Sequence, residues 1–183
     1  MMNAPESIPI EILDQAKRGS VDAFEYILSY FEKPIYNYCL RILRNTDDAK
    51  DATQQTFIKV YNNHKSIDSS KNIKTWIFTI ATNTAYDIIR SRKRKNEVSL
   101  EEYFETIDDS QSYYIEESVI SDVERAINEI DPDYSKVLLL FYQQGFSYQE
   151  IADITKTPIN TIKTHISRGK EQIKEYLQNY GKC

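Results

Sequence analysis

The stretch SYQEIADITKTPINTIKTHISRGK, Ser147 to Lys170, decides how this chain folds. Ser147 with Glu150 three residues on has the form of a capping box, in which each side chain satisfies a backbone N–H at a helix start. Ile151, Ala152 and Ile154 give the first short helix its apolar side. Lys156 lies in the turn and Thr157 is a natural N-cap; Pro158 suits the first helical position, where its missing N–H has no partner to lose. Two short helices joined by a tight turn are the sequence form of a helix-turn-helix.

The faces of the second helix agree with that form. At about 100° per residue, Ile159, Ile162, Ile166, Gly169, Ile173 and Leu177 fall on one stripe. Asn160, Thr164, Ser167 and Arg168 lie opposite, Lys163 and Lys170 flank them, and His165 points nearer the preceding helix. Small polar residues and an arginine suit base edges, while flanking lysines suit phosphates. An outward polar face is most often merely solvated. Here a capped pair, a tight turn and outward cations occur together, which favours a polyanionic partner.

That basic helix sits in a chain of 183 residues with a net charge of −5. The charge is unevenly spread: residues 1–95 are net +4, residues 96–124 net −10 with no Lys or Arg, and residues 125–183 net +1. The acidity therefore belongs to one intermediate segment. At 40% hydrophobic and 28% charged residues, the chain fits one or two small domains. The longest apolar run, Val137 to Tyr142, is far too short to span a membrane, and MMNAPESIPIEILDQ lacks the form of a secretory signal, so a cytoplasmic protein is expected.

Little supports catalysis. Cys39 and Cys183 form no disulfide framework or C-x-x-C site, and His64 and His165 have no partners at metal-ligand spacing. None of the four glycines builds a phosphate-cradling loop. No catalytic residue, metal, cofactor or small-molecule substrate is expected.

Outside the acidic segment nearly everything reads as helix. Candidates run from Ile10 to Arg18, stopped by Gly19; from Ser20 or Val21 to Arg44, divided or kinked at Pro34; and from Asp47 to about Asn63, with cap chemistry in Thr46-Asp47-Asp48. A polar turn, Ser66 to Asn72, precedes a long helix from Ile73 to about Lys95. After the acidic stretch, helices are expected from Val119 to near Asp131, Asp133 to Gln144, Ser147 to Thr155, and Thr157 to Tyr180. The fold class is all-α: two small helical domains, 1–95 and 119–183, joined by an acidic linker, 96–118.

In the long helix, Ile73, Trp76, Ile77, Ile80, Ala81, Thr84 and Ile88 share a face expected to pack inward. Thr75, Thr79, Asn83, Tyr86 and Arg90 form a second stripe, and the helix ends in RSRKRK, with Arg90, Arg92, Lys93, Arg94 and Lys95 crowded together. One or two cations would complement a helix C-terminus. Five, beside an amide, a hydroxyl and an aromatic ring, suit opened DNA. In the preceding helix Ala49, Ala52, Thr53, Phe57 and Val60 are expected inside, leaving Asp48, Asp51, Gln54, Gln55 and Lys59 outside as a mixed face that is poor for DNA, compatible with a protein partner, and on periodicity alone an ordinary solvated face.

These motifs together resemble the bacterial sigma-70 family, in its small extracytoplasmic-function group with regions 2 and 4 only. DAKDATQQTFIKVY resembles region 2.2, KTWIFTIATNTAYDIIRSRKR regions 2.3 and 2.4, and IDPDYSKVLLLFYQQGFSYQEIADITKTPINTIKTHISRGKEQIKEYL region 4. The resemblance implies a dissociable, non-enzymatic subunit that directs core RNA polymerase to promoter DNA, held in check by an anti-sigma factor. It implies core-polymerase binding through Asp48, Asp51, Gln54, Gln55 and Phe57. It implies −10 contacts from Lys71, Lys74, Thr79, Asn83, Tyr86, Arg90, Arg92, Lys93 and Arg94, with the loop Ile67 to Lys74 capturing a flipped base. It implies −35 contacts from Asn160, Thr161, Lys163, Thr164, Ser167, Arg168 and Lys170. The acidic linker is implied to thread toward the active-site cleft as a nucleic-acid mimic. The chain departs from the family pattern at Thr79, where a base such as arginine is usual, and at His165 and Gly169, in place of arginine and alanine types. The alternative is a free-standing helix-turn-helix regulator, which would need no region-2-like helix.

Overall fold

A computed structural model of the chain describes residues 8–96 and 122–180, which belong to two compact units. Every regular element among the described residues is helical. The first unit contains α1 (Ile10–Lys17), α2 (Val21–Leu43), α3 (Thr46–Asn62), a 3-10 turn (His64–Ser66) and α4 (Ile73–Asn96). The second contains α5 (Asp122–Glu129), α6 (Pro132–Leu138), a π-helical turn (Leu139–Gln143), α7 (Tyr148–Thr155) and α8 (Ile159–Tyr180). Asn96, expected to open the acidic linker, instead closes α4, and the remainder of that linker, 97–118, with its expected path, lies outside the described residues.

Local chemistry sets the ends. Ser20 caps α2 by accepting the Ala23 N–H. The α2–α3 connection is only Arg44 and Asn45: Arg44 closes α2 at φ 50°, and the Asn45 carboxamide accepts the N–H groups of Asp47 and Asp48. Asn45, and not the Thr46-Asp47-Asp48 run, is thus the α3 cap; its amide accepts where an aspartate would, leaving both aspartates in the first turn where the helix dipole favours them. Of the two outcomes expected at Pro34, division is ruled out: α2 is continuous from Val21 to Leu43. Ile27, Phe31, Ile35, Tyr38 and Ile42 are all buried, so apolar anchoring on both sides of Pro34 outweighs the one backbone hydrogen bond it cannot make.

The first core forms where α2 and α3 pack on α4. Tyr38 is fully buried; its hydroxyl bonds Thr82 Oγ1 at 2.9 Å, and Thr82 in turn donates to the Phe78 carbonyl at 2.7 Å. Burial drives the Tyr38 phenol well above its ordinary value. The inward face of α4 differs from the expected stripe. Ile73, Ile77, Ala81 and Thr84 are buried, but so are Phe78, Thr82, Ala85 and Ile89, while Trp76, Ile80 and Ile88 are only part-buried. Two helices packed on α4 require a wider and rotated apolar face than a single partner would.

In the second unit, α6 and α5 pack against α8, and α7 packs across it. Val137, Leu138, Leu139, Leu140, Phe146, Ile151, Ile154, Ile162 and Ile166 make its core. Gly169 permits the α6–α8 approach: a Cβ there would lie 2.8 Å from Leu138 Cδ1 and 3.0 Å from Tyr134 Cβ.

Candidate nucleic-acid and protein interfaces

The α7–α8 pair is built as the sequence indicates, except at the start of α8. Ser147 Oγ accepts the Glu150 N–H at 3.3 Å, and Glu150 Oε2 accepts the Ser147 N–H at 2.9 Å, completing the capping box. Lys156 ends α7 at φ 54°, and its N–H and that of Thr157 both reach the Ala152 carbonyl. Thr157 does not cap α8 with its hydroxyl, which instead turns back to the Thr155 carbonyl at 3.3 Å. The Pro158 carbonyl accepts from Thr161 and Ile162, so α8 begins at Ile159.

This turn leaves one face of α8 open. Asn160, Lys163, Thr164, Ser167, Arg168 and Lys170 are all exposed, Thr161 is half-buried, and Ile162, Ile166 and Gly169 are buried on the far side. The Thr164 hydroxyl donates to the Asn160 carbonyl at 3.0 Å, so its oxygen still has acceptor capacity. Arg168 hydrogen-bonds the Tyr134 hydroxyl, which raises the guanidinium above its ordinary value. Tyr134 also packs its ring 5.2 Å from that of His165, whose Nδ1 is buried without a hydrogen-bond partner. His165 thus serves the α6–α8 contact, as its position near the preceding helix suggested.

In the first unit the segment before α4 is ordered by its own polar groups. Asp68 Oδ1 accepts the Ser70 N–H at 3.1 Å and the Ser70 hydroxyl at 2.6 Å, and Asp68 pairs with Lys71 at 3.3 Å. The Ser70 bonds, with Lys71 beside them, hold the Asp68 carboxyl below the usual aspartate value. Asn72 Oδ1 accepts the Lys74 N–H at the start of α4. Buried Ile67 and Ile73 anchor both ends of the loop. Lys71 in the loop and Asn83, Arg90 and Arg94 beyond it are exposed, and Lys74, Thr79 and Tyr86 are half-buried along α4. Arg90 pairs with Asp87 at 3.2 Å on the surface, a contact easily exchanged for solvent or phosphate. The Lys93 side chain lies outside the described residues.

Helix α3 divides as its periodicity suggests, with two exceptions. Asp51 and Gln54 are exposed and Gln55 half-buried; Gln55 Nε2 donates to Asp51 Oδ2 at 2.8 Å. Asp48, however, is mostly covered and paired with Arg92, and Lys59 turns inward to donate to Thr84 Oγ1 at 2.9 Å. Sequence reasoning missed the apolar groove of about 660 Å³ between α2 and α3. Gln54, Phe57, Ile58 and Tyr61 line one wall, and Phe24, Leu28 and Tyr36 the other. Ile58 and Tyr61 are exposed, and the Tyr36 hydroxyl is buried with no partner. Exposed Ile58, one residue off the core stripe, was the signal available in the sequence.

With this geometry in hand, the chain can be set beside known proteins. Residues 27–95 match the Sigma-70 region 2 family and residues 120–173 the Sigma-70, region 4 family. The chain is 31% identical to the ECF RNA polymerase sigma factor SigW of Bacillus subtilis, over 91% of this chain and 95% of that protein. It is 26% identical to the ECF RNA polymerase sigma-E factor of Haemophilus influenzae, over 91% and 94%. Among solved structures it is similar to the sigma factor RpoE of Bartonella quintana, seen in complex with the anti-sigma factor NepR, with a TM-score of 0.70 and 27% identity over 86% of this chain and 98% of that one. CnrH, at 18% identity and a TM-score of 0.70, shares the fold.

Proposed function

Because this chain belongs to the sigma-70 family, as an RNA polymerase sigma factor of the extracytoplasmic-function type that directs transcription initiation, we propose that its two helical units divide promoter recognition between them. Sigma factors bind core polymerase and promoter DNA and are not themselves enzymes, so each surface has a binding role. The observation that carries the assignment is the open face of α8. Asn160, Lys163, Thr164, Ser167, Arg168 and Lys170 stand exposed together on a helix held by a capped partner, the arrangement that lets one helix enter a major groove. That face, with Thr161 at its edge, reads the −35 element.

Helix α4 and the loop before it act on the −10 element. The ordered turn at Asp68–Lys71 and exposed Asn83 supply shape and polar groups for an extruded base, with half-buried Thr79 and Tyr86 beside them. Lys71, Lys74, Arg90, Lys93 and Arg94 supply charge for the strand's backbone. Asp51, Gln54 and Gln55, with Phe57 beneath them in the groove wall, form the core-polymerase surface. An apolar groove whose polar lining mixes amides, a carboxylate and two lysines (Gln54, Asn62, Glu32, Lys33 and Lys50) has the composition of a protein interface rather than a DNA site.

Two further roles follow from the family. The acidic segment 96–118 tethers the two units and competes with nucleic acid for basic surfaces of the polymerase. The complex of the Bartonella protein with NepR supports an anti-sigma partner here, and a role at RNA polymerase supports a cytoplasmic location. No described helix is long and apolar enough to cross a membrane.

Run-off transcription with purified core polymerase on genomic promoter fragments tests the assignment. Replacing Asp51 and Gln54 together with arginine should abolish run-off and core capture in a pull-down while leaving helicity intact, because reversed charge in a matched interface costs several kcal/mol. Undiminished core capture refutes the α3 surface. Promoter binding that never requires polymerase would instead indicate a free-standing regulator.

A further inference from the structure

Asp48 lies on the helix that faces protein, and Arg92 among the cations that face the promoter strand, yet the fold joins these two to each other across 44 residues of sequence. Asp48 stands in the first turn of α3, its N–H held by the Asn45 carboxamide at 3.0 Å. Its carboxylate forms an ion pair with the Arg92 guanidinium near the end of α4. The Asp48 side chain is only 13% exposed and that of Arg92 34%, whereas Arg90, two residues earlier, is 70% exposed. Separating a sheltered ion pair is costly, because it leaves a covered charge without its partner. The N-terminus of α3 adds a favourable dipole at the carboxylate. A guanidinium held this way would have to break a sheltered pair to reach a phosphate. Arg90 gives up only a surface contact with Asp87, and Arg94 is exposed.

We propose that Asp48 and Arg92 are a positioning pair rather than contact residues: together they fasten the basic end of α4 to the first turn of α3, and so present Arg90 and Arg94 to the promoter strand at a fixed angle. This rests on the reading of α4 as the promoter-facing helix. It removes Asp48 from the polymerase surface and Arg92 from the phosphate-binding set. It also makes α3, the helix gripped by core polymerase, the direct mechanical support of the DNA-facing helix.

The test uses the full chain assembled with core polymerase on a promoter fragment, with affinity measured across a salt series and core binding measured separately. The variants are Asp48→Asn, Arg92→Gln, the two combined, and Arg90→Gln with Arg94→Gln. Each single change at the pair should lower promoter affinity by about tenfold with the salt slope unchanged, since no phosphate contact is lost. The combined variant should be no worse than the poorer single one, because both remove the same interaction. The Arg90 and Arg94 substitutions should lower the slope by about two. A slope reduced by about one in Arg92→Gln makes that residue a phosphate contact and overturns the proposal. So do a loss of core binding confined to Asp48→Asn and an unaltered promoter affinity in both single variants. An unchanged slope in the Arg90 and Arg94 variant overturns the promoter-facing reading of α4 and the proposal with it.

Discussion

Replacing Gly169 with alanine sets two effects of similar size against each other. In an exposed helix interior, alanine in place of glycine stabilises by about 1 kcal/mol, because glycine loses more backbone freedom on folding. At this position the added methyl meets Leu138 Cδ1 at 2.8 Å, Tyr134 Cβ at 3.0 Å and Leu138 Cγ at 3.3 Å, where carbon atoms prefer about 3.5–4.0 Å. Leu138 Cδ1 is a flexible end, but Leu138 is 1% exposed and has little room to turn. Tyr134 Cβ is attached directly to the α6 backbone, so relief there means moving α6. Overpacking of this kind costs about 1–3 kcal/mol. The net expectation is destabilisation of the second unit by about 1 kcal/mol and a small displacement of α8. Hydrogen exchange of α8 amides in the full chain measures the first, and affinity for the −35 element within holoenzyme reports the second. Combining Gly169→Ala with Leu138→Ala should cost less than the sum of the two alone, since the smaller residue makes room for the methyl. Slower exchange in Gly169→Ala would mean that propensity wins, and that Gly169 does not set the α6–α8 distance.

Other predictions follow from the same structure. Cys39 is fully buried, and burial pushes its thiol up to about 12 despite a Thr53 hydrogen bond, so at pH 8 the thiolate is roughly 10⁻⁴ of the population. In a Cys183→Ser chain, a disulfide reagent should therefore react at the unfolding-limited rate and become fast only in denaturant; prompt reaction of the folded chain contradicts the burial. Asn83→Ala should impair promoter opening more than closed-complex binding, and equal permanganate reactivity in mutant and wild type would remove Asn83 from base capture. Lys170→Ala should weaken binding to all −35 variants alike and lower the salt slope by about one, whereas Arg168→Ala should relax sequence preference. A uniform loss of affinity in Arg168→Ala makes it a phosphate clamp, with Tyr134 as its support.

Residues that act through local chemistry were legible in the sequence. Ser147 and Glu150 announce the start of α7 because both partners of the capping box lie within four residues, and the Ile162–Ile166–Gly169 stripe locates the hidden side of α8 because period alone determines it. What depended on a third element was not legible. Trp76, Ile80 and Ile88 share a plausible apolar stripe, but α2 and α3 pack on α4 from two directions, and Phe78, Ala85 and Ile89 are buried more deeply. Asp48 and Arg92 each have the right chemistry for a different partner, and nothing short of the α3–α4 packing brings them together. The groove is a property of two helices, so neither α2 nor α3 alone reveals it. Pro34 allows a division of α2 that does not occur, for a related reason: a helix breaker in an isolated segment is tolerated where anchoring on both sides keeps the helix continuous.

The π-helical turn at Leu139–Gln143 bears on how this chain can change length. There the Gln144 N–H reaches back five residues to the Leu139 carbonyl at 3.1 Å, so the turn holds one residue more than a regular α-helical turn. Loss of a residue from an ordinary helix rotates everything beyond it by about 100° relative to what came before. Loss of one from this turn can be absorbed by tightening it to α-helical spacing, leaving Gly145, Phe146 and the Ser147 cap in phase with the core. Phe141 or Tyr142 is the residue to remove, since Leu139 and Leu140 are buried and Tyr142 is 62% exposed. The turn is thus a place where the lineage of this chain can shed a residue without re-aiming the helix that follows.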